Sequence, residues 1–139
     1  MSEQVWIDAV CVRRSGSQIG VPTRSSLFFE DTEFDGLVLG DSYRVFGVGM
    51  WGTTLVALAE VYTDPMWLPV GVFDFASDAF PSSWKFSILD PLSASGVGNE
   101  DQWNFLFGYE RLVENEVHRD GIIEREPEEL DSFRSLFMI

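Results

Sequence analysis

The most specific chemical pattern in the chain consists of three glycines and one aspartate. Gly47, Gly49 and Gly52 form a G-x-G-x-x-G after a segment with strand character, and Asp74 follows 22 residues later. A dinucleotide-binding loop uses such glycines to bring the backbone close to a pyrophosphate at a helix N-terminus, and an acid about 20 residues on holds the ribose. A nucleotide or small ligand bound by Gly47-Gly49-Gly52 and Asp74 is therefore one functional hypothesis.

The residues that follow the glycines decide between this hypothesis and a simple turn. The β-branched Thr53, Thr54 and Val56 favour a strand, whereas Leu55 and the run 57–59 would suit a helix. We expect a strand over 53–62, paired with 43–48 across a turn at 49–52. A strand at this position eliminates the dinucleotide site, because that site needs a helix N-terminus.

The usual catalytic groups are sparse. His118 is the only histidine and lies where a helix is expected to end; Cys11 is the only cysteine, and its neighbours are valines. The chain contains neither the G-x-S-x-G of hydrolases nor a phosphate-binding P-loop. Acids alternate at 31–35 as in a calcium loop, but Ser42 occupies the twelfth position, where a glutamate is needed. We expect no enzyme activity, no cofactor and no metal site.

Charge is the strongest feature of the composition. The 139 residues include 23 Asp and Glu against 9 Lys and Arg, a formal charge of −14. Such a surface repels nucleic acid and anionic membranes and attracts basic proteins. The segment 110–131 holds nine of the acids and three arginines. A solvated helical face and a binding surface explain this segment equally well.

The pattern of apolar residues predicts an α+β fold in a single domain, 1–139. We expect an N-terminal β-rich meander or small partly closed barrel, followed by one or two C-terminal amphipathic helices. The predicted strands cover 5–12, 25–30, 43–48, 53–62, 68–75 and 84–89, with a chain break at Asp64-Pro65 and a Ser/Gly-rich loop at 91–101. A short helix is predicted at 109–117, a turn at Asp120-Gly121, and a last helix from Pro127 with an apolar stripe of Leu130, Phe133, Leu136 and Phe137.

These observations favour a non-catalytic, acidic protein-binding module. Its composition is typical of bacterial immunity proteins and of inhibitors that neutralise a basic partner such as a nuclease toxin by covering its phosphate-binding surface. Tryptophans beside turns could anchor such an interface, because Trp is enriched at binding hot spots. The expected partner-binding residues are Asp120, Glu124, Glu126, Glu128, Glu129, Trp51, Trp67 and Trp103. We expect a cytoplasmic monomer or small homo-oligomer that binds neither nucleic acid nor membrane.

Overall fold

The structure is a computed structural model, which describes residues 5–14, 34, 36–52, 54–75, 80–89 and 103–137. These residues form a predominantly antiparallel sheet followed by helices, which confirms the predicted α+β class. The strands are β1 Ile7–Cys11, β2 Ser42–Trp51, β3 Thr54–Val61, β4 Asp64–Pro69, β5 Phe73–Phe75, β6 Lys85–Ile88 and β7 Trp103–Gly108. The helices are α1 Glu110–Glu114, α2 Glu116–Ile123 and α3 Pro127–Phe137.

Strand β2 is the centre of the sheet. It pairs with β3 on one side, and β4 lies beyond β3. On its other side, the first half of β2 pairs with β1 and the second half with β7. Strand β5 continues the sheet beyond β1, and β6 continues it beyond β7. The sheet therefore branches at β2, and it does not close into a barrel.

A bulge in β2 turns two consecutive residues toward the helices. The β2–β3 register shifts between Val45 and Gly47, which leaves Phe46 as the extra residue. The Phe46 ring lies 5.0 Å from the ring of Phe133 and 4.4 Å from that of Phe137, both in α3. The helices thus cover one face of the sheet, and Phe46 lies at the centre of that contact.

The two hairpins next to β3 differ in how well the sequence predicted them. Residues 54–61 are a strand, as expected, but β2 continues through Trp51, so the turn comes later than 49–52. The predicted break at Asp64-Pro65 is wrong, because these residues begin β4. The preceding turn is Tyr62-Thr63, whose φ angles of 52° and 69° are those of a type I′ hairpin. Proline is tolerated in β4 because, among the described strands, β4 pairs with β3 alone.

Other strand predictions have mixed outcomes. The strands expected at 5–12 and 84–89 are present as β1 and β6. The single strand expected at 68–75 is wrong, because a turn of 3₁₀ helix at Val70–Val72 separates β4 from β5. Strand β7 was not predicted. The predicted strand 25–30 and loop 91–101 lie outside the described residues.

The helical region also departs from the prediction. The helix expected at 109–117 is interrupted at Asn115, whose side-chain oxygen accepts the His118 backbone N–H at 3.0 Å and caps α2. Asp120 and Gly121 lie within α2 and not in a turn. The helix expected from Pro127 is confirmed as α3, and Leu130 and Phe133 are buried. Leu136 departs from the predicted stripe, because it is 45% exposed.

Candidate functional site

The glycine pattern serves strand packing. Gly47 and Gly49 lie within β2, and Gly47 is directly opposite Gly108 of β7. A Cβ atom on Gly108 would lie 2.8 Å from both Gly47 Cα and the Phe46 carbonyl oxygen. Strand β3 follows where a dinucleotide site needs a helix, and Asp74 is an exposed residue of β5 on the opposite branch of the sheet. The geometry that the nucleotide hypothesis requires is therefore missing from these residues.

The three tryptophans named as anchors meet in one cluster. The rings of Trp67 and Trp103 are 4.6 Å apart, and Trp51 contacts Trp103 edge-on at 5.1 Å. Trp67 and Trp103 are only 8% and 6% exposed, whereas Trp51 is half-buried. Both rings belong to the core under the helices, so Trp67 and Trp103 present little surface to a partner in this conformation.

One arginine of the helical region is directed into the protein. Arg119 is buried and its guanidinium donates to the carbonyl oxygens of Leu112 and Val113, at 3.2 and 3.0 Å. These carbonyls belong to the last turn of α1, where helix carbonyls lack partners within the helix. Arg119 therefore exposes little of its guanidinium group to solvent.

Arg125 and Arg134 hold the turn between α2 and α3 against β4. Arg125 donates to the Pro65 carbonyl at 2.8 Å and to the Asp64 carboxylate at 3.2 Å. Arg134 bonds the same Asp64 carboxylate and also donates to Asp131 at 2.8 Å. Both guanidinium groups thus already have carboxylate partners within the protein.

The turn itself has a defined geometry. Arg125 takes the left-handed conformation, with φ of 61°. The Glu126 N–H donates to the Gly121 carbonyl at 2.8 Å and the Arg125 N–H donates to that of Ile122 at 3.3 Å. These two bonds form a Schellman motif, which ends α2 abruptly. The backbone that carries the neighbouring acids is therefore well ordered by its own hydrogen bonds.

Four of the five acids predicted to bind a partner face solvent around this turn. We define them as the acidic knuckle: Asp120, Glu124, Glu126 and Glu128, all exposed. Asp120 and Glu124 are one helical turn apart at the C-terminal end of α2, and no basic residue lies in that last turn. These two negative charges are unfavourable at this position, because the carboxylates repel each other and because the helix dipole is negative at the C-terminal end.

The fifth acid, Glu129, is engaged within the protein. Its side chain is 14% exposed, and Oε1 accepts a hydrogen bond from His118 Nδ1 at 3.0 Å. Unlike the four other acids, Glu129 is therefore bonded inside the protein in this conformation. Gly121 makes the contact possible, because a Cβ on Gly121 would overlap the Glu129 side chain.

His118 lies at the centre of a buried hydrogen-bonded triad. Its side chain is completely buried, and the residue lies in the first turn of α2 and not at the end of the helix expected at 109–117. A carboxylate can only accept, so Nδ1–H donates to Glu129, and Nε2 accepts from the Tyr109 hydroxyl at 2.7 Å. A carboxylate, an imidazole and a hydroxyl in this order resemble a catalytic triad.

Burial keeps this triad from acting as a nucleophile. Tyr109 is 6% exposed, and burial raises the pKa of its hydroxyl far above the ordinary tyrosine value, although Arg111 partly opposes this. A substrate cannot reach the hydroxyl, and the phenolate is strongly disfavoured. The triad joins α1, α2 and α3 through polar bonds, which is a structural role.

The triad predicts how stability depends on pH. Burial lowers the pKa of His118 below its ordinary value of 6.5; the hydrogen bond to Glu129 opposes this shift and the positive charge of Arg111 adds to it. Above pH 6.5 the ring is neutral in both states. Below it the unfolded chain binds a proton that the folded protein resists, so unfolding becomes easier as the pH falls.

We expect the free energy of unfolding to drop below pH 6.5 by up to about 1.4 kcal/mol per pH unit because of this one ring. Urea titrations from about pH 5 to pH 8 on the native chain and on His118→Gln measure the effect, since no other histidine titrates there. Equal pH slopes in both proteins would show that His118 does not control this dependence.

Two other kinds of site are absent from the part of the chain that the structure describes. No three His, Cys, Asp or Glu side chains converge there as a metal site. Within the same residues, no helix has the length and apolar character needed to cross a membrane.

Comparison with known proteins finds no matching family model, no matching curated protein and no matching solved structure.

Proposed function

We propose that this chain is a non-catalytic, acidic module that neutralises a basic protein partner, and that the acidic knuckle is the contact surface. The observation that carries the proposal is the division of charge around the α2–α3 turn. Its carboxylates face solvent, while Arg119, Arg125 and Arg134 are buried or paired. Of these three arginines, Arg119 is buried, whereas Arg125 and Arg134 are partly exposed and are paired with Asp64.

The anchored turn supports binding because it limits the ordering that a partner must impose. The Schellman motif and the bonds from Arg125 to β4 hold the backbone before binding. Less conformational freedom is then lost on association. A partner's Arg or Lys side chains would also relieve the repulsion between Asp120 and Glu124 and their conflict with the helix dipole.

Tyr62 is a more exposed candidate anchor than Trp67 and Trp103. Tyr62 is 79% exposed and lies in the β3–β4 turn, two residues before Asp64. Because Asp64 binds both Arg125 and Arg134, this turn and the knuckle are parts of one region. Tyr is enriched at interface hot spots. The sequence alone did not distinguish Tyr62 from a core aromatic residue. Its left-handed turn conformation depends on the hairpin, which only the folded structure shows.

The partner class follows from the charge. Nuclease toxins bind phosphates with Arg and Lys, so an acidic surface that covers those groups would block their activity. A bacterial immunity protein or toxin inhibitor in the cytoplasm is the specific form of this proposal. Electrostatic steering would make the association fast and sensitive to salt.

Two triple variants with the same change in net charge test the proposal. In the first, Glu124, Glu126 and Glu128 are replaced by Lys. In the second, Asp8, Asp41 and Asp74 are replaced by Lys; these acids are exposed around β1 and β5, on the branch of the sheet away from β4. Each tagged protein is used to capture partners from the source cells at low salt, and association rates are then measured with the captured protein.

We expect the native chain and the β1–β5 variant to retain one basic protein and inhibit its nuclease activity stoichiometrically. The knuckle variant should associate about 100-fold more slowly, because steering changes association rates by 10- to 1,000-fold. Equal association rates for the two variants would remove the knuckle from the interface. A captured protein that is acidic, or whose binding does not weaken with salt, would contradict the whole proposal.

A further inference from the structure

The sheet face opposite the helices carries two registered rows of apolar side chains. The first row crosses four strands: Leu55 pairs with Met50, Met50 with Phe105, and Phe105 with Ile88. In the second row, Phe107 pairs with both Val48 and Phe86. Alternation along the strands places both rows on the same side. We call this surface the aromatic face: Leu55, Met50, Phe105, Ile88, Phe107 and Phe86.

The helices do not cover this face. Gly47 and Gly108 approach Leu112 of α1, so their side of β2 and β7 faces the helices. Val48 and Phe107 are their neighbours in sequence and point the other way. Ile88 is 64% exposed, Phe86 60% and Leu55 44%. Phe80, which is 52% exposed, extends the surface through a ring contact with Phe107 at 4.7 Å.

The exposed area matches the apolar part of a dimer interface. Four large apolar side chains that are 44–64% exposed present roughly 400 Å² of apolar surface. Each subunit of a standard interface buries about 800 Å², of which somewhat more than half is apolar. The half-buried members of the aromatic face, Met50, Phe105 and Phe107, supply most of the apolar area that is still missing. The aromatic face is therefore large enough for a stable dimer.

The absence of charged side chains from the aromatic face favours a second copy of this chain as its partner. A basic partner would require carboxylates around the contact, but Lys85 is the one charged residue in β6 and β7, and it alternates with Phe86 and points away. An uncharged face is complementary to another uncharged face. The knuckle acids lie beyond the sheet on the helix side, so a layer of about 10 Å, comparable with the Debye length, separates them from the contact.

We propose that two copies of this chain associate through the aromatic face, with the acidic knuckles of both copies directed outward. Strand β6 pairs with β7 and with no other described strand, so its free edge lies beside the same contact. The dimer therefore leaves two partner-binding surfaces accessible. This proposal is independent of the basic partner, since each concerns a different side of the sheet.

Sedimentation velocity at several loading concentrations tests the dimer. The native chain should sediment as a dimer whose dissociation constant decreases as salt rises, because salt screens the repulsion between two chains of −14. Phe86→Glu with Ile88→Glu should raise that constant about 100-fold, roughly tenfold for each lost anchor. Val117→Glu with Leu136→Glu is the matched control on exposed helix positions and should leave the constant unchanged.

A second variant guards against loss of folding, which near-UV circular dichroism monitors. Leu55→Glu, at the other end of the first row, should weaken the dimer as well. A native chain that remains monomeric at high concentration overturns the proposal, as does a dimer that survives the changes at 55, 86 and 88. The opposite salt responses separate the two proposals, because binding of the basic partner weakens with salt whereas the dimer strengthens.

Discussion

Gly108→Ala is expected to destabilise the protein by about 3 kcal/mol, at the upper end of the range for overpacked cores. The added Cβ would lie 2.8 Å from Gly47 Cα and from the Phe46 carbonyl oxygen, both of them backbone atoms of β2. Backbone atoms cannot move aside as the end of a side chain does. Strands β2 and β7 would have to separate, although alanine is ordinarily better than glycine inside a strand.

Urea unfolding of the native and variant chains measures this loss. Gly40→Ala is the comparison: its Cβ meets nothing within 4 Å, but φ is +89°, so only backbone strain of about 1 kcal/mol is expected. A Gly108→Ala variant that is as stable as Gly40→Ala would show that the strands do not approach as closely as described.

His118→Ala is expected to have an effect of similar size, about 3 kcal/mol. The change removes both hydrogen bonds of the ring and leaves the Tyr109 hydroxyl and the Glu129 carboxylate without that partner in a buried environment. It also creates a cavity, because the ring is completely buried. The Glu129 carboxylate keeps Arg111 at 3.8 Å, but the loss of a hydrogen-bond donor from a largely buried carboxylate is a larger penalty than the net value of the bond itself.

Two milder variants separate these contributions. Tyr109→Phe removes one hydroxyl and should lose about 1 kcal/mol, whereas Glu129→Gln keeps an oxygen that can accept from Nδ1 and should lose less than His118→Ala. Equilibrium unfolding at pH 8, where the ring is neutral, compares them without the titration of His118. A loss below 0.5 kcal/mol for His118→Ala, a threshold typical of surface changes, would refute a stabilising triad.

The fold class was predictable because its signals are local. The β-branched residues within 53–62 predicted a strand there, and the spacing of Leu130 and Phe133 predicted a helix with one buried stripe. Where the prediction failed, contacts distant in sequence decided the outcome. Asp64 and Pro65 begin a strand because they lie at the sheet edge, and Gly121 stays helical because Glu129 packs over it.

The candidate site was predicted in part. The chain's acidity and its concentration after residue 110 are visible in the composition, and four of the five selected acids are exposed. The sequence could not show that Glu129 turns inward or that Trp67 and Trp103 stack inside the core. Nor could it show that His118 joins three helices, since Tyr109 and Glu129 are 9 and 11 residues away.

The sequence by itself determined the net charge, the apolar periodicity and the scarcity of catalytic groups, because these are properties of residue type and near neighbours. Only the tertiary structure decided where the charges point. Arg119 and Arg125 are in the same acidic segment as Glu124, yet they bond backbone carbonyls of α1 and β4. Carbonyls at helix ends and strand edges need donors, and long guanidinium side chains reach them, so these two arginines are engaged within the protein while Glu124 remains exposed.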